Sequence, residues 1–225
     1  MAGMWLRGWK LPPRGLNYAL FVPPQLASIR SALHRGEPSQ MIAEASRLAA
    51  LGSGDAKALL GYLELRAAVT GQSRYDRAEV LSQEAFRQGN AFGEYVLGWV
   101  RFEQGRPVDA LAHLVASGKQ MFLPAIVDVG RFMVSGIGVK EADPIAAEKM
   151  FLLAHRLGHR VALPYILRIY RRGKRGVWRR LLGFVALPFA LARLGAYTWL
   201  QPFSEKAFVH AKDARRPLFN VSACQ

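Results

Sequence analysis

His155 and His159 stand four residues apart, the spacing at which two imidazoles on one helix face can share a metal ion. Gly158 falls between them and is expected to end the helix there, which removes the common face, and no cysteine or Glu-His motif accompanies the pair. Gly136-Ile-Gly138-Val139 has the start of a phosphate-cradling loop, yet it lacks a third glycine, a preceding strand and the Lys-Ser/Thr of a P-loop. Glu141, Asp143 and Glu148 are close in sequence, but carboxylates near a helix start ordinarily serve capping and solvation. The single cysteine, Cys224, and the scattered His113 and His210 offer no activating geometry for a nucleophile. No catalytic, metal-binding or cofactor-binding residue is nominated, and the expectation is a protein that is not an enzyme and carries no cofactor.

The elements around these residues read as helices. From residue 38 to about 173, apolar residues recur at helical spacing with a glycine every dozen or so residues and no sustained alternation. The pattern predicts helices over 38–51, 55–70, 75–88, 91–104, 107–117, 122–135, 143–157 and 160–172. They are closed by or near Gly52, Gly71, Gly89, Gly105, Gly118, Gly136, Gly158 and Gly173, since a glycine after the last turn takes the left-handed conformation at little cost. Asp143-Pro144 predicts a helix start, because the carboxylate accepts from free amides and proline needs no donor at the first helical position.

Laid over one another, the segments repeat. Leu60-Gly61, Leu97-Gly98, Val129-Gly130 and Ile166-Leu167 occupy equivalent places, and Ala56, Gly93, Ala125 and Ala162 each stand five residues before the second member of the dipeptide. Small residues there let one helix approach the next, so that pairs stack and bury a shared seam. The unit running from Ala125 through Gly130, Gly136-Ile-Gly138-Val139, Asp143, Ala146-Ala147, Ala154 and Gly158 into Ala162, Tyr170 and Gly173 resembles the Sel-one-like repeat family, a relative of the tetratricopeptide repeats. The resemblance is clear over 122–173 and weaker over 54–121, where Gly105-Arg-Pro shortens one loop. In the second helix Phe151 holds the family's usual aromatic place. It implies an all-α fold, a right-handed α-solenoid of stacked antiparallel helix pairs, with no family-wide catalytic residues. It also implies an adaptor role, often in bacterial envelope or signalling systems, with a protein partner in the solenoid groove. Tyr62, Tyr95, Trp99, Phe102, Phe132 and Tyr165 are the candidates for exposed aromatics on that groove.

The net charge is +15, and its distribution along the chain is uneven. Residues 36–167 carry 14 Lys+Arg and 14 Asp+Glu, whereas 1–35 carry five bases and no acid and 168–225 carry twelve bases and two acids. Three segments follow: a basic, aromatic N-terminal segment and cap (1–37), the repeats (38–173), and a basic-apolar C-terminal segment and tail (174–225). Arg168, Arg171, Arg172, Lys174, Arg175, Arg179 and Arg180 abut the apolar run Leu181–Ala192, with Trp178 and Trp199 at its borders. Bases beside an apolar helix hold a segment at an anionic leaflet at about 1 kcal/mol each, and border tryptophans suit the interface. Arg171, Arg172, Lys174, Arg175, Trp178, Arg179, Arg180 and Trp199 are therefore the candidate contacts with an anionic membrane surface.

Spanning is nearly balanced. A central arginine costs about 2.5–3.5 kcal/mol and each large apolar residue returns about 0.3–0.6 kcal/mol. A run of twelve is also shorter than the roughly twenty a span requires. An interfacial or re-entrant helix is favoured and a span stays open. Trp5 and Trp9, with Arg7 and Lys10, form either a second interfacial contact or part of a cap on the first repeat. Interruption of the N-terminal apolar stretch by Lys10 and Arg14 argues against a signal peptide, so a cytoplasmic location at the inner membrane is expected. The alternative partner is a nucleic acid, tracked by the C-terminal bases with Tyr170 and Trp178; oligomeric state is open.

Overall fold

The computed structural model describes residues 21–35, 37–69, 75–172, 176–200, 204 and 206. Among the described residues the chain is all-helical, with ten helices and no strand. They are α1 (Ala27–Arg35), α2 (Pro38–Ala50), α3 (Gly54–Val69), α4 (Tyr75–Arg87), α5 (Ala91–Glu103), α6 (Pro107–Lys119), α7 (Leu123–Ser135), α8 (Pro144–Arg156), α9 (Ala162–Arg172) and α10 (Val177–Leu200). Eight of the ten match predicted segments to within a few residues. Within α1 to α6, and within α7 to α10, each helix packs on its neighbour in sequence, as helix pairs joined by short turns must.

The chain divides into two compact units, one holding α1 to α6 (from Phe21 to Phe122) and the other α7 to α10 (from Leu123). In the first, α3 lies against α4, α5 against α6, and the leading helices α3 and α5 of the two pairs also touch. In the second, α7 pairs with α8 and α9 with α10, around a core that includes Ile126, Val127, Phe151, Ala154, Ile166 and Leu194. The sequence places no boundary at 122/123.

Caps set where the helices begin. Asp143 accepts from the Ile145 and Ala146 amides at 2.9 Å each, with Pro144 next in line, as its sequence predicts. Asn90 accepts from the Gly93 amide at 2.9 Å and donates to Asp55 at 2.7 Å, tying the start of α5 to the start of α3.

The repeat glycines all meet the second helix of their own pair. A Cβ on Gly61 would strike Ser82 on α4, one on Gly98 would lie 3.0 Å from Leu114 on α6, and one on Gly130 would lie 2.7 Å from Phe151 on α8. Gly93 does the same toward the preceding pair, with Ala85 at 2.6 Å. These close approaches explain why small residues recur at equivalent places along the chain.

Gly52, Gly89, Gly105, Gly136 and Gly158 close their helices with positive φ, while Gly71 and Gly173 lie outside the described residues. Gly118 departs from expectation. It lies inside α6, which continues to Lys119, and Met121 takes the left-handed position instead with φ 65°. The Phe122 amide then donates back to the Ser117 carbonyl and the Met121 amide to that of Gly118. A side chain in that conformation costs about 1 kcal/mol or more, and the Met121 side chain is exposed. Met121→Gly is therefore expected to stabilise the chain by about 1 kcal/mol, measured as a higher urea midpoint with an unchanged slope.

Candidate membrane interface

The apolar run read as twelve residues belongs to one continuous 24-residue helix, α10, which passes through Pro188 and Arg193. By length and composition it is long and apolar enough to cross a membrane; at 1.5 Å per residue it extends about 36 Å. Its two faces differ. Gly183, Leu187, Ala190, Leu194 and Thr198 recur at steps of three and four and are buried. Leu187 and Ala190 pack with Leu167 of α9, and Leu194 enters the core of the unit. At Gly183 the two backbones nearly touch: a Cβ there would lie 2.6 Å from the Arg171 amide nitrogen and 2.7 Å from the Leu167 carbonyl oxygen.

Backbone atoms cannot step aside as a flexible side chain can. Gly183→Val is accordingly expected to open this seam at a cost of about 3 kcal/mol, seen as a lower melting temperature and faster tryptic cleavage between α9 and α10.

On the opposite side, Trp178, Leu181, Leu182, Val185, Phe189, Trp199 and Leu200 are all exposed. Among the described residues, ten of the seventeen exposed large hydrophobic residues belong to α10. At 100° per residue the outward arc also takes Pro188, Ala192 and Ala196, with Arg193 on its flank. An apolar arc this long is rare on a surface that meets only water. Trp178 and Trp199, 82% and 60% exposed, stand near its two ends on the same side.

The bases proposed to accompany it are arranged unequally. Arg180 and Arg172 are exposed. Arg179 lies 3.7 Å from the buried Glu148 carboxylate and 5.4 Å from the centre of the Tyr170 ring, so although it is exposed it ties α10 to α8 and α9. Arg171 lies 5.7 Å from the Phe184 ring centre. Lys174 and Arg175 fall outside the described residues, as do Trp5 and Trp9. Arg171 and Arg179 are thus positioned first by contacts within the protein, a fact that charge counting alone does not reveal.

The aromatic candidates for an open groove need correction. Tyr62, Tyr95, Trp99, Phe132 and Tyr165 are buried, and Phe102 is half-buried. In the first unit, residues 92–100 of α5 are buried without interruption, which closes every side of that helix. Helices α3, α4 and α6 account for three sides. On a further side Phe21 meets Phe92 edge-on at 5.0 Å and Phe122 at 5.5 Å, within a ring cluster that includes Tyr62 and Tyr95. Sequence periodicity places the aromatics on the leading helices but contains no signal for what covers them. In the second unit Tyr165 stacks on Phe151 at 5.0 Å, inside the core.

The groups weighed for chemistry stand apart. His155 is exposed on the last turn of α8 and His159, beyond the Gly158 turn, is buried, so they share no face. Among the described residues no group of three or more His, Cys, Asp or Glu could hold a metal ion. Glu94, buried on the first turn of α5, has its carboxyl pushed up by burial against a bond from Gln120. His113, 3.8 Å away, is pulled down by burial first and by Arg101 and Arg106, with Asp109 opposing. Both shifts disfavour the charged forms, because each group loses hydration on burial. No protein-family model matches the chain and no curated protein shows significant similarity to it.

Proposed function

We propose that this chain is a non-catalytic helical-repeat scaffold, of the kind its Sel-one-like sequence pattern suggests, that binds a protein partner and docks on the inner face of a bacterial membrane through α10. The observation that carries the membrane reading is the exposed apolar arc of α10, ended by Trp178 and Trp199. A second copy of the chain is a poorer cover for that arc, because residues 168–225 carry twelve bases against two acids and two such segments repel. An anionic lipid surface has the complementary charge.

The seam with α9 favours a helix lying along the surface over one that spans. If α10 crossed in its present seating, Arg168, Arg171 and Arg172 of α9 and Glu148 of α8 would be drawn toward hydrocarbon, at about 2.5–3.5 kcal/mol per central charge. Along the surface, the arc enters the acyl boundary while Arg180 and Arg193 reach the head groups. Envelope or polysaccharide assembly is the process that the family resemblance suggests, by analogy of fold.

The test is flotation of the full chain with vesicles of phosphatidylcholine, with and without phosphatidylglycerol, followed by salt and carbonate washes. Flotation on anionic vesicles that high salt weakens and carbonate reverses is the expected result. Retention through carbonate would replace docking with a span, and absence of flotation would sink the membrane reading. A salt-sensitive RNA mobility shift in that last case would move the assignment to the nucleic-acid alternative.

A further inference from the structure

We infer that the aromatic recess on the leading helices of the first unit is the partner-binding site, and that the chain's own Phe21-Val22 segment occupies it as an intramolecular stand-in for an extended, phenylalanine-bearing segment of the partner. The inference rests on the scaffold reading and adds its binding site and its regulation. Three observations carry it. First, the recess is a ring-lined pocket: Phe92 and Phe122 contact the Phe21 ring directly, at 84° and 61° to its plane, and Tyr62 and Tyr95 pack behind them. Leading-helix faces of stacked helix pairs are the surfaces that such arrays leave open for ligands.

Second, what fills the recess is not a helix of the array. Residues 21–23 have no helical assignment, and Pro23-Pro24 follow, which supply no backbone donors. The ring and the adjacent Val22 are both buried, so a short non-helical stretch inserts two apolar side chains where a peptide ligand would. Third, the segment has a clasp. The Arg30 guanidinium on α1 donates twice to the Val22 carbonyl, at 2.6 and 3.0 Å, holding a non-helical backbone by its carbonyl as a peptide would be held.

A ligand tethered in cis acts at a high effective concentration, so a partner must either outcompete it or meet a chain in which it has been released. Apparent affinity for the partner is then lowered by the fraction of chains whose recess is filled. Scaffolding becomes conditional on displacement of residues 21–22.

The experiment uses the full chain and a fluorescein-labelled peptide reproducing its own residues 17–26, followed by fluorescence anisotropy. The Phe21→Ala chain is expected to bind this peptide at least about tenfold more tightly than the wild-type chain does, since truncation empties the recess. A control peptide with alanine in place of the phenylalanine should bind neither chain. Equal binding by both chains, with helical circular dichroism unchanged in the variant, overturns the proposal. Should Phe21→Ala fail to fold, Arg30→Gln serves, because it undoes the clasp and leaves every ring in place; a folded Arg30→Gln chain with no gain in peptide binding likewise overturns it. Vesicle flotation is unaffected by either change, so loss of flotation in wild type speaks against membrane docking alone, and absence of peptide binding speaks against the recess alone.

Discussion

A chain carrying Val185→Asp and Phe189→Asp is expected to remain at the bottom of a flotation gradient in which the wild type rises with anionic vesicles, its partition lowered by a hundredfold or more. Both residues are exposed on the outward arc, 57% and 74%, so the fold does not depend on them. Burying a valine and a phenylalanine side chain releases about 1.5–3 kcal/mol each, and 1.4 kcal/mol is a factor of ten. Two buried charges add to the loss, and they also repel the head groups. Circular dichroism and the melting temperature should match the wild type. Removing charge instead, as Arg180→Gln with Arg193→Gln, is expected to weaken binding by about 1 kcal/mol per base and to flatten its salt dependence. Undiminished flotation of the double aspartate chain would show that this arc does not meet lipid.

The second large effect concerns α7. Asp128 and Arg131 form a buried ion pair one turn apart, with side chains 0% and 3% exposed. Asp128→Ala leaves the guanidinium buried without that counter-charge, which costs about 3–5 kcal/mol. At about 4–8 °C per kcal/mol for a unit of roughly 100 residues, the melting temperature should fall by more than 10 °C. Replacing both partners, as Asp128→Leu with Arg131→Met, is expected to restore most of the loss, because two desolvated charges are exchanged for packing of similar volume. A double variant as unstable as Asp128→Ala would mean that the pair is needed for more than its mutual neutralisation. Nothing in the apolar periodicity of α7 distinguishes this pair from surface charge, because burial of a charged residue depends on the helices that close over it.

The repeat is the part of the fold most legible beforehand. Gly61, Gly98 and Gly130 each allow a helix to approach the second helix of its own pair, and the residue type follows from a contact between segments adjacent in the chain. The exception is instructive. Gly118 resembles the other helix-closing glycines, yet α6 passes through it and Met121 adopts the left-handed turn. A glycine permits termination and does not compel it.

The eight helices over 38–172 with their approximate bounds, the turns closed by Gly52, Gly89, Gly105, Gly136 and Gly158, the Asp143 cap and the apolar character of residues 181–200 were determined by the sequence alone, because each depends on residues within one or two turns of one another. Tertiary structure decided three things that local pattern cannot encode. It turned Arg171 and Arg179 toward Phe184, Tyr170 and Glu148. It divided α10 into a seam against α9 and an exposed arc, though nearly every residue of the helix is apolar. And it brought Phe21 across some seventy residues of chain onto Phe92, burying aromatics whose helical spacing matched an open groove. The reason is common to all three: spacing along a helix specifies which residues share a face, while the occupant of that face is chosen by segments far away in the chain.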